Sequence, residues 1–546
     1  MTPTQQQKDI IETQLQTGES LLVEAGAGTG KTTCFIEFSK SHPHKKILYL
    51  CFNNKSVEEA REKYRKEGIK NTTTSTIHGL ARGKKALYES KGKFQTKISL
   101  KEIQLHLQCP QPTAWRVQST LKAFCESADK EPKLEHLPTQ IKSDPIEKRK
   151  VLSLTKTLWE DMKNPDHSYP ISYDHYLKTF EMESPQLAFD YILLDECQDS
   201  NPISLSIIEA QKKTSRLVLI GDRHQAIYGW RGAKNAMEEW IPTQRKTLSE
   251  SFRFGPEIAT LANLILAEFQ KSPLRLTGHK KTDSIGPIDK SKPYTLIART
   301  NATLFETALE YHEKNKKFHF VGSSEKSGWN PSDPYKFHDA LDVHRLWAGL
   351  KSEVKNPQIR IYESYAELKK AAEGDMSNPE SSGDTELKGL CRLVEKYRHR
   401  LPGLIQQIIK NSTGPTQADI QLVTAHRAKG LEWPHVKLAN DFTPLLIEKE
   451  GRLRLATPQL NGLGDAHIEE FNLLYVAITR SLERLEPHQE LQKLLCSPLL
   501  NPNLPKPNLA RYPSQNSQAQ KTYDNELTEE KKSRKRQEWA EQIPFF

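Results

Sequence analysis

Leu21-Leu22-Val23-Glu24-Ala25-Gly26-Ala27-Gly28-Thr29-Gly30-Lys31-Thr32 carries an apolar run straight into a glycine-rich turn, and a helical pattern from Thr33 to Ser39 follows at once. A strand that ends in a turn of small residues and opens a helix presents backbone N–H groups at the helix N-terminus, where they wrap phosphates. In such a P-loop Lys31 is placed to reach the β- and γ-phosphates of ATP and Thr32 to ligate magnesium, while Ala25, Gly26, Ala27, Gly28, Thr29, Gly30 and Thr33 line the cradle. Ala25 stands where the usual pattern has its first glycine, and it keeps the side chain small.

A second run, Tyr191-Ile192-Leu193-Leu194, ends in Asp195-Glu196. Ligands sit at the C-terminal ends of strands in open α/β sheets, so these carboxylates complete a nucleotide site. Asp195 suits the magnesium ion, and Glu196 suits the water that attacks the γ-phosphate. Similar β-branched or leucine-rich runs recur at Ile47–Cys51, Leu217–Gly221 and Ile420–Thr424, each followed by turn residues and a helical stretch. That alternation predicts parallel α/β sheets. Two Lys/Glu-rich, helix-patterned stretches, Ala81–Leu187 and Asn301–Ala418, are expected to be insertions into two such domains.

With 546 residues the chain exceeds one hydrophobic core. Its 79 Lys plus Arg against 69 Asp plus Glu leave a net charge of +10, compatible with a polyanionic partner. No run of about 18 apolar residues occurs, and Met1–Lys8 has no apolar core, so a soluble, intracellular protein is expected, without a membrane partner. The seven cysteines form no C-x-x-C pair and have no histidine grouping, so reduced thiols and no zinc or iron–sulfur site are expected. Beyond Leu495 the composition turns polar and then basic, too poor in apolar surface to fold alone.

The carboxylate motif continues as Asp195-Glu196-Cys197-Gln198-Asp199, and the stretch Gly221-Asp222-Arg223-His224-Gln225-Ala226-Ile227-Tyr228-Gly229-Trp230-Arg231-Gly232-Ala233 follows. These resemble motifs II and III of superfamily 1 helicases of the UvrD/Rep type. The likeness runs on, in order, through Phe52-Asn53-Asn54-Lys55 (Ia), Thr76-Ile77-His78 (Ib), Ser251-Phe252-Arg253 (IV), Thr424-Ala425-His426-Arg427-Ala428-Lys429-Gly430-Leu431-Glu432-Trp433 (V) and Leu474-Tyr475-Val476-Ala477-Ile478-Thr479-Arg480 (VI). Ser251–Ala259, Arg299–Phe305 and Leu431–Trp433 are similar to the F-box DNA helicase subgroup, although the chain begins almost at its first motif and is expected to lack the F-box.

The resemblance implies two RecA-like domains, 1–80 with 188–247 and 248–300 with 419–495, carrying the insertions 81–187 and 301–418, with a disordered tail at 496–546. ATP would lie between the domains. Gln225 resembles the γ-phosphate sensor, Arg253 and Arg480 the arginines that neutralise transition-state charge, Phe252 the aromatic that stacks on adenine, and Glu432, beside Gly430, the carboxylate that meets the ribose. Among Gln5, Gln6 and Gln7 the adenine-reading glutamine is ambiguous; Gln7 is preferred because Ile10 and Ile11 then fall where the pattern has apolar residues.

For a nucleic-acid track the chain offers Phe52, His78, Tyr228, Trp230 and Arg231, aromatics whose stacking supplies ~1–3 kcal/mol per base without sequence preference. The expected activity is 3′-to-5′ translocation on single-stranded DNA and unwinding at duplex junctions, by a monomer. A protein-stripping translocase and an ATP-gated binding switch are the rivals. The terminal Gln542-Ile543-Pro544-Phe545-Phe546 resembles the short peptides that hold the bacterial sliding clamp; its phenylalanines either dock there or fold back on this protein.

Overall fold

The computed structural model describes residues 2–96, 98–138, 144–227, 236–280, 282–332, 334–373, 384–449, 451–457 and 464–508, the side chains of 464–467 excepted. In the first lobe β1 (Ser20–Ala25), β2 (Ile47–Leu50), β3 (Thr72–Ser75), β4 (Tyr191–Leu194), β5 (Arg216–Gly221) and β6 (Gln244–Leu248) form one sheet in the order β3-β2-β4-β5-β1-β6. Every pairing is parallel. The inner strands β1, β2, β4 and β5 are apolar on both faces because helices cover both, while the edge strands β3 and β6 are mostly polar. Leu21, Val23, Ile47, Tyr49, Val218 and Ile220 pack with α2 (Lys31–Ser41) and α3 (Asn54–Lys66), while Leu22, Leu48, Leu50, Ile192, Leu194, Leu217 and Leu219 pack on the opposite side. A shorter helix, α1 (Gln5–Ile11), starts at a capping box between Thr4 and Gln7 and leads into β1.

The chain leaves β6 through β7 (Glu250–Ser251), which pairs with β8 (Thr277–Gly278). The second sheet uses β9 (Ser284–Ile285), β10 (Tyr294–Ala298), β11 (Phe318–Phe320), β12 (Ile420–Thr424), β13 (Trp433–Leu438) and β16 (Ser481–Glu486), in the order β11-β12-β10-β13-β16-β9, again all parallel. An antiparallel ribbon, β14 (Leu446–Lys449) with β15 (Arg452–Leu455), sits between β13 and β16 in sequence. The fold is thus α/β with two parallel, RecA-like sheets.

The helix-rich stretches attach differently. Between β3 and β4, Gln111–Glu126 places Ala114, Val117, Leu121 and Phe124 at three- and four-residue spacing, and Pro145–Lys163 does the same with Val151, Leu158 and Met162. With Thr155 buried between Val151 and Leu158, the second stripe keeps the same spacing, and the two close a core of their own around Trp159. Between β10 and β12, in contrast, Phe305, Val343, Leu393 and Ile408 share one core with Leu296, Ala298, Ile420 and Leu422 of the sheet. β11 belongs to this stretch too, so the range 301–418 supplies an edge strand as well as helices. Among the described residues no helix is long and apolar enough to cross a membrane.

Candidate functional site

All strands of the first sheet run one way, so the ends of β1, β4 and β5 bring their following residues to a common edge. The turn after β1 is tight: Gly28 and Gly30 adopt φ of +74° and +77°, values that side chains rarely tolerate. Thr29 closes the loop by donating its hydroxyl to the Gly26 carbonyl, 2.9 Å away. Lys31 then opens α2.

Lys31 Nζ lies 2.6 Å from Glu196 Oε1. Burial opposes the lysine's charge, but the carboxylates of Glu196, Asp195 and Asp222 outweigh it and raise its pKa. For Glu196 burial pulls upward and loses to Lys31 and Lys429, which bring the carboxyl down to about 2. Its backbone sits at φ +50°, a strained conformation of the kind that collects at functional sites. Asp195 accepts the Tyr49 hydroxyl at 2.7 Å on one oxygen and the Glu196 N–H at 2.9 Å on the other. Burial raises the carboxyls of both Asp195, where Glu196 adds to the effect, and Asp222. Three carboxyl groups around one lysine leave surplus negative charge. A divalent cation among oxygen donors, with Thr32 nearby on α2, fits that surplus.

The second lobe meets this edge closely. Arg480, 1 % exposed, donates from Nη2 to Gln225 Oε1 at 3.2 Å, and Gln225 donates to Asp222 Oδ2 at 2.7 Å. Burial, and then the neighbouring Arg253, bring the Arg480 guanidinium down to about 9, still charged at neutral pH. The Tyr475 hydroxyl accepts the Ala27 N–H of the phosphate loop and donates to Asp222, each at 3.2 Å. Lys429 reaches back to Asp199 at 2.5 Å and to the Gln225 carbonyl at 2.6 Å. Burial pushes the Asp199 carboxyl up to about 6 against that lysine's pull.

Motif IV lies on the loop itself: the Phe252 N–H donates to the Gly28 carbonyl at 2.9 Å. A Cβ built on Gly28 would stand 2.5 Å from Arg253 Cβ and 2.7 Å from Ser251 Oγ. Gly28→Ala is therefore expected to force the lobes apart and to weaken ATP binding by at least ~10-fold, since ~1.4 kcal/mol of strain and lost contact suffices. Equilibrium titration with a fluorescent ATP analogue checks this; wild-type affinity would show that the cleft does not need the contact.

Of the three glutamines, Gln7 is buried and donates to the Thr29 carbonyl of the loop at 3.2 Å. Gln6 instead pairs twice with Ser249, and Gln5 with Asp9. Phe252 is stacked on His279, ring centroids 5.1 Å apart. Glu432 forms an ion pair with Arg253 at 2.8 Å, so two residues expected to face different parts of the nucleotide hold each other here. Gly430 takes φ +82° with open space around it.

Phe52 follows β2 and is 45 % exposed; His78 follows β3 and is half-buried, edge-on to Tyr173 and Tyr176. Both lie at the same sheet edge as Lys31, but beyond β4. Tyr228, Trp230, Arg231 and Gln542–Phe546 lie outside the described residues. Asp222, Asp199, Lys429 and Tyr475 were present in the motif stretches without an assigned role. The signal for Asp222 was available, because it follows β5 as Asp195 follows β4.

Comparison with known proteins agrees with this geometry. Residues 7–231 match the AAA domain family and residues 355–486 the UvrD-like helicase C-terminal domain. The chain is 31 % identical to F-box DNA helicase 1 of Gallus gallus over 90 % of its own length and 49 % of the relative's. It is 31 % identical to F-box DNA helicase protein 1 of Schizosaccharomyces pombe over 90 % and 58 % of the two chains. A probable DNA helicase of Mycoplasma pneumoniae matches at 25 % identity over 54 % of this chain and 42 % of its own. The chain thus spans about half the length of the first two relatives. With the phosphate loop in the first matched region, motif VI in the second, and the two in contact across the cleft, this chain belongs to the UvrD-like superfamily 1 helicases.

Proposed function

We propose that this protein is an ATP-driven DNA helicase that moves 3′ to 5′ along single-stranded DNA and opens duplex junctions, in repair, recombination or replication. The observation that carries the reading is the division of the hydrolytic residues between lobes. Lys31, Asp195, Glu196 and Gln225 stand on the first, Arg253 and Arg480 on the second, and Arg480 reaches Gln225 across the cleft at 3.2 Å. Hydrolysis moves two lobes relative to each other only if both contact the γ-phosphate, and this arrangement would give each a charged group there. Bound magnesium would supply charge neutralisation for the phosphates, with Thr32 and Asp195 as its protein ligands. Gln7, Phe252, Gly430 and Glu432 would hold the nucleoside.

Single-stranded DNA would cross the far side of the same sheet edge, over Phe52 and His78 and on to Tyr228, Trp230 and Arg231. The chain would act as a monomer inside the cell, in cytoplasm and nucleoid or in a nucleus. The division into 1–80 with 188–247, 81–187, 248–300 with 419–495, and 301–418 is part of the same reading. Gln542–Phe546 would tether the motor to a sliding clamp or another replication partner.

The deciding experiment compares ATP hydrolysis with single-stranded DNA and RNA, then unwinding of 3′- and 5′-tailed duplexes. Movement without strand separation would point to a protein-stripping translocase. Hydrolysis with no movement would point to a switch. For Trp230→Ala, loss of one stacked base at ~1–3 kcal/mol is expected to weaken single-strand affinity roughly 5- to 150-fold, with basal hydrolysis little changed. A variant that binds DNA as wild type does would place the track elsewhere.

A further inference from the structure

Along β2 the side chains alternate between two cores. Leu48 and Leu50 face one, while Ile47, Tyr49 and Cys51 face the other, under α2 and α3. An aliphatic residue would fill the position of Tyr49 without a polar atom to satisfy. Tyr49 is instead 2 % exposed, and a buried phenol needs a partner for its O–H. That partner is Asp195, whose Oδ2 accepts the hydroxyl at 2.7 Å from the end of the neighbouring strand β4.

The ring has little freedom to move away. Phe35 of α2 meets it edge-on with centroids 5.3 Å apart, and Tyr64 of α3 leans on it at 5.8 Å. Asp195 is gripped in turn on both oxygens, by Tyr49 on one and by the Glu196 N–H at 2.9 Å on the other. Each carboxylate oxygen keeps a second lone pair, so both bonds leave the group able to meet a cation or its bound water.

We propose that Tyr49 is a positioning residue for the divalent cation of the nucleotide site: its hydroxyl fixes the orientation in which Asp195 meets the ion. The inference rests on Asp195 as the cation-side carboxylate. Hydrogen bonds behind a ligating group commonly set metal affinity by ~10- to 100-fold. The tyrosine also stands on the strand that leads directly into Phe52, so the residue that orients the cation's carboxylate and the expected DNA contact share one short piece of backbone.

The test uses the full chain with Mn²⁺ as probe, its binding followed by electron paramagnetic resonance in the presence of ADP. Tyr49→Phe is expected to weaken Mn²⁺ binding by ~10-fold or more. Hydrolysis should need correspondingly more Mg²⁺, and turnover should be largely recovered at saturating metal. Tyr64→Phe is the control, because it removes a buried hydroxyl, 3.2 Å from Ser39 Oγ, beside the same ring and does not touch Asp195. It should bind Mn²⁺ as wild type does. Wild-type affinity in Tyr49→Phe overturns the inference, as does an equal loss in both variants, which would reduce the effect to packing. If the wild-type protein with ADP retains no Mn²⁺, the assignment of Asp195 fails and the inference falls with it.

Discussion

Lys31→Ala is expected to abolish measurable ATP hydrolysis, a loss of more than ~10²-fold, while single-stranded DNA is still bound. The ammonium does two things. It supplies the preorganised positive charge of the phosphate loop, and it holds Glu196 at 2.6 Å, where together with Lys429 it brings that carboxyl down to about 2. Without it, Glu196, Asp195 and Asp222 face one another with no lysine between them, so the nucleotide's own negative charge meets a more hostile cleft. Phe52 and His78 follow β2 and β3, which lie beyond β4 from the phosphate loop, and that separation is why DNA binding should persist. Filter binding of a labelled oligonucleotide alongside an ATPase assay decides the matter. Joint loss of both activities in a folded variant would mean that the phosphate loop and the track are one site.

Arg480→Ala is expected to bind ATP yet hydrolyse it at least ~10²-fold more slowly, because a charge aimed at the transferring phosphoryl group contributes mainly in the transition state. The truncation also removes hydrogen bonds to Gln225 Oε1, Thr479 Oγ1 and the Val476 carbonyl inside a buried pocket, so the variant should melt earlier. Arg480→Lys separates the two effects. It keeps a cation and most of the volume, loses the planar fork, and should be folded but still slow. Near-normal turnover in the lysine variant, with ATP affinity intact, would remove Arg480 from the catalytic set.

Much of the first lobe was legible because its inner strands are buried on both faces and therefore read as unbroken apolar runs, unlike the polar edge strands β3 and β6. Leu21–Glu24, Tyr191–Leu194 and Leu217–Gly221 all fall within strands of the sheet. The second lobe was harder. β13 contains Pro434 at a register shift, which interrupts the pattern, β16 mixes Glu483, Arg484 and Glu486 with its leucines, and β9 is only two residues long. Residues of the cleft were found where a local pattern carries them, as at Lys31 or Asp195. They were missed where the role exists only once the lobes close. Lys429 finds Asp199 across 230 residues and Tyr475 finds Asp222 across 253. Nothing within a few residues of either side chain announces such a partner. Tyr49 was hidden for another reason: in a run of apolar strand residues a tyrosine passes for packing.

The two helix-rich stretches described above have different thermodynamic standing. The stretch between β3 and β4 owns a core around Phe124, Leu158 and Trp159 and meets its lobe through a separate, smaller cluster that joins Tyr176 and Leu177 with Ile203 and Ile207, whereas the stretch between β10 and β12 borrows the face of its sheet. A segment with its own interior can melt as a separate cooperative unit while the sheet beside it stands. A segment that shares an interior melts only when its lobe does. Denaturant should therefore release the amide protons of Gln111–Glu126 and Pro145–Lys163 together, as one subglobal opening. Those of Thr385–Tyr397 should be released only with β10 and β12, so the motor has one appendage free to open alone and another that is part of its frame.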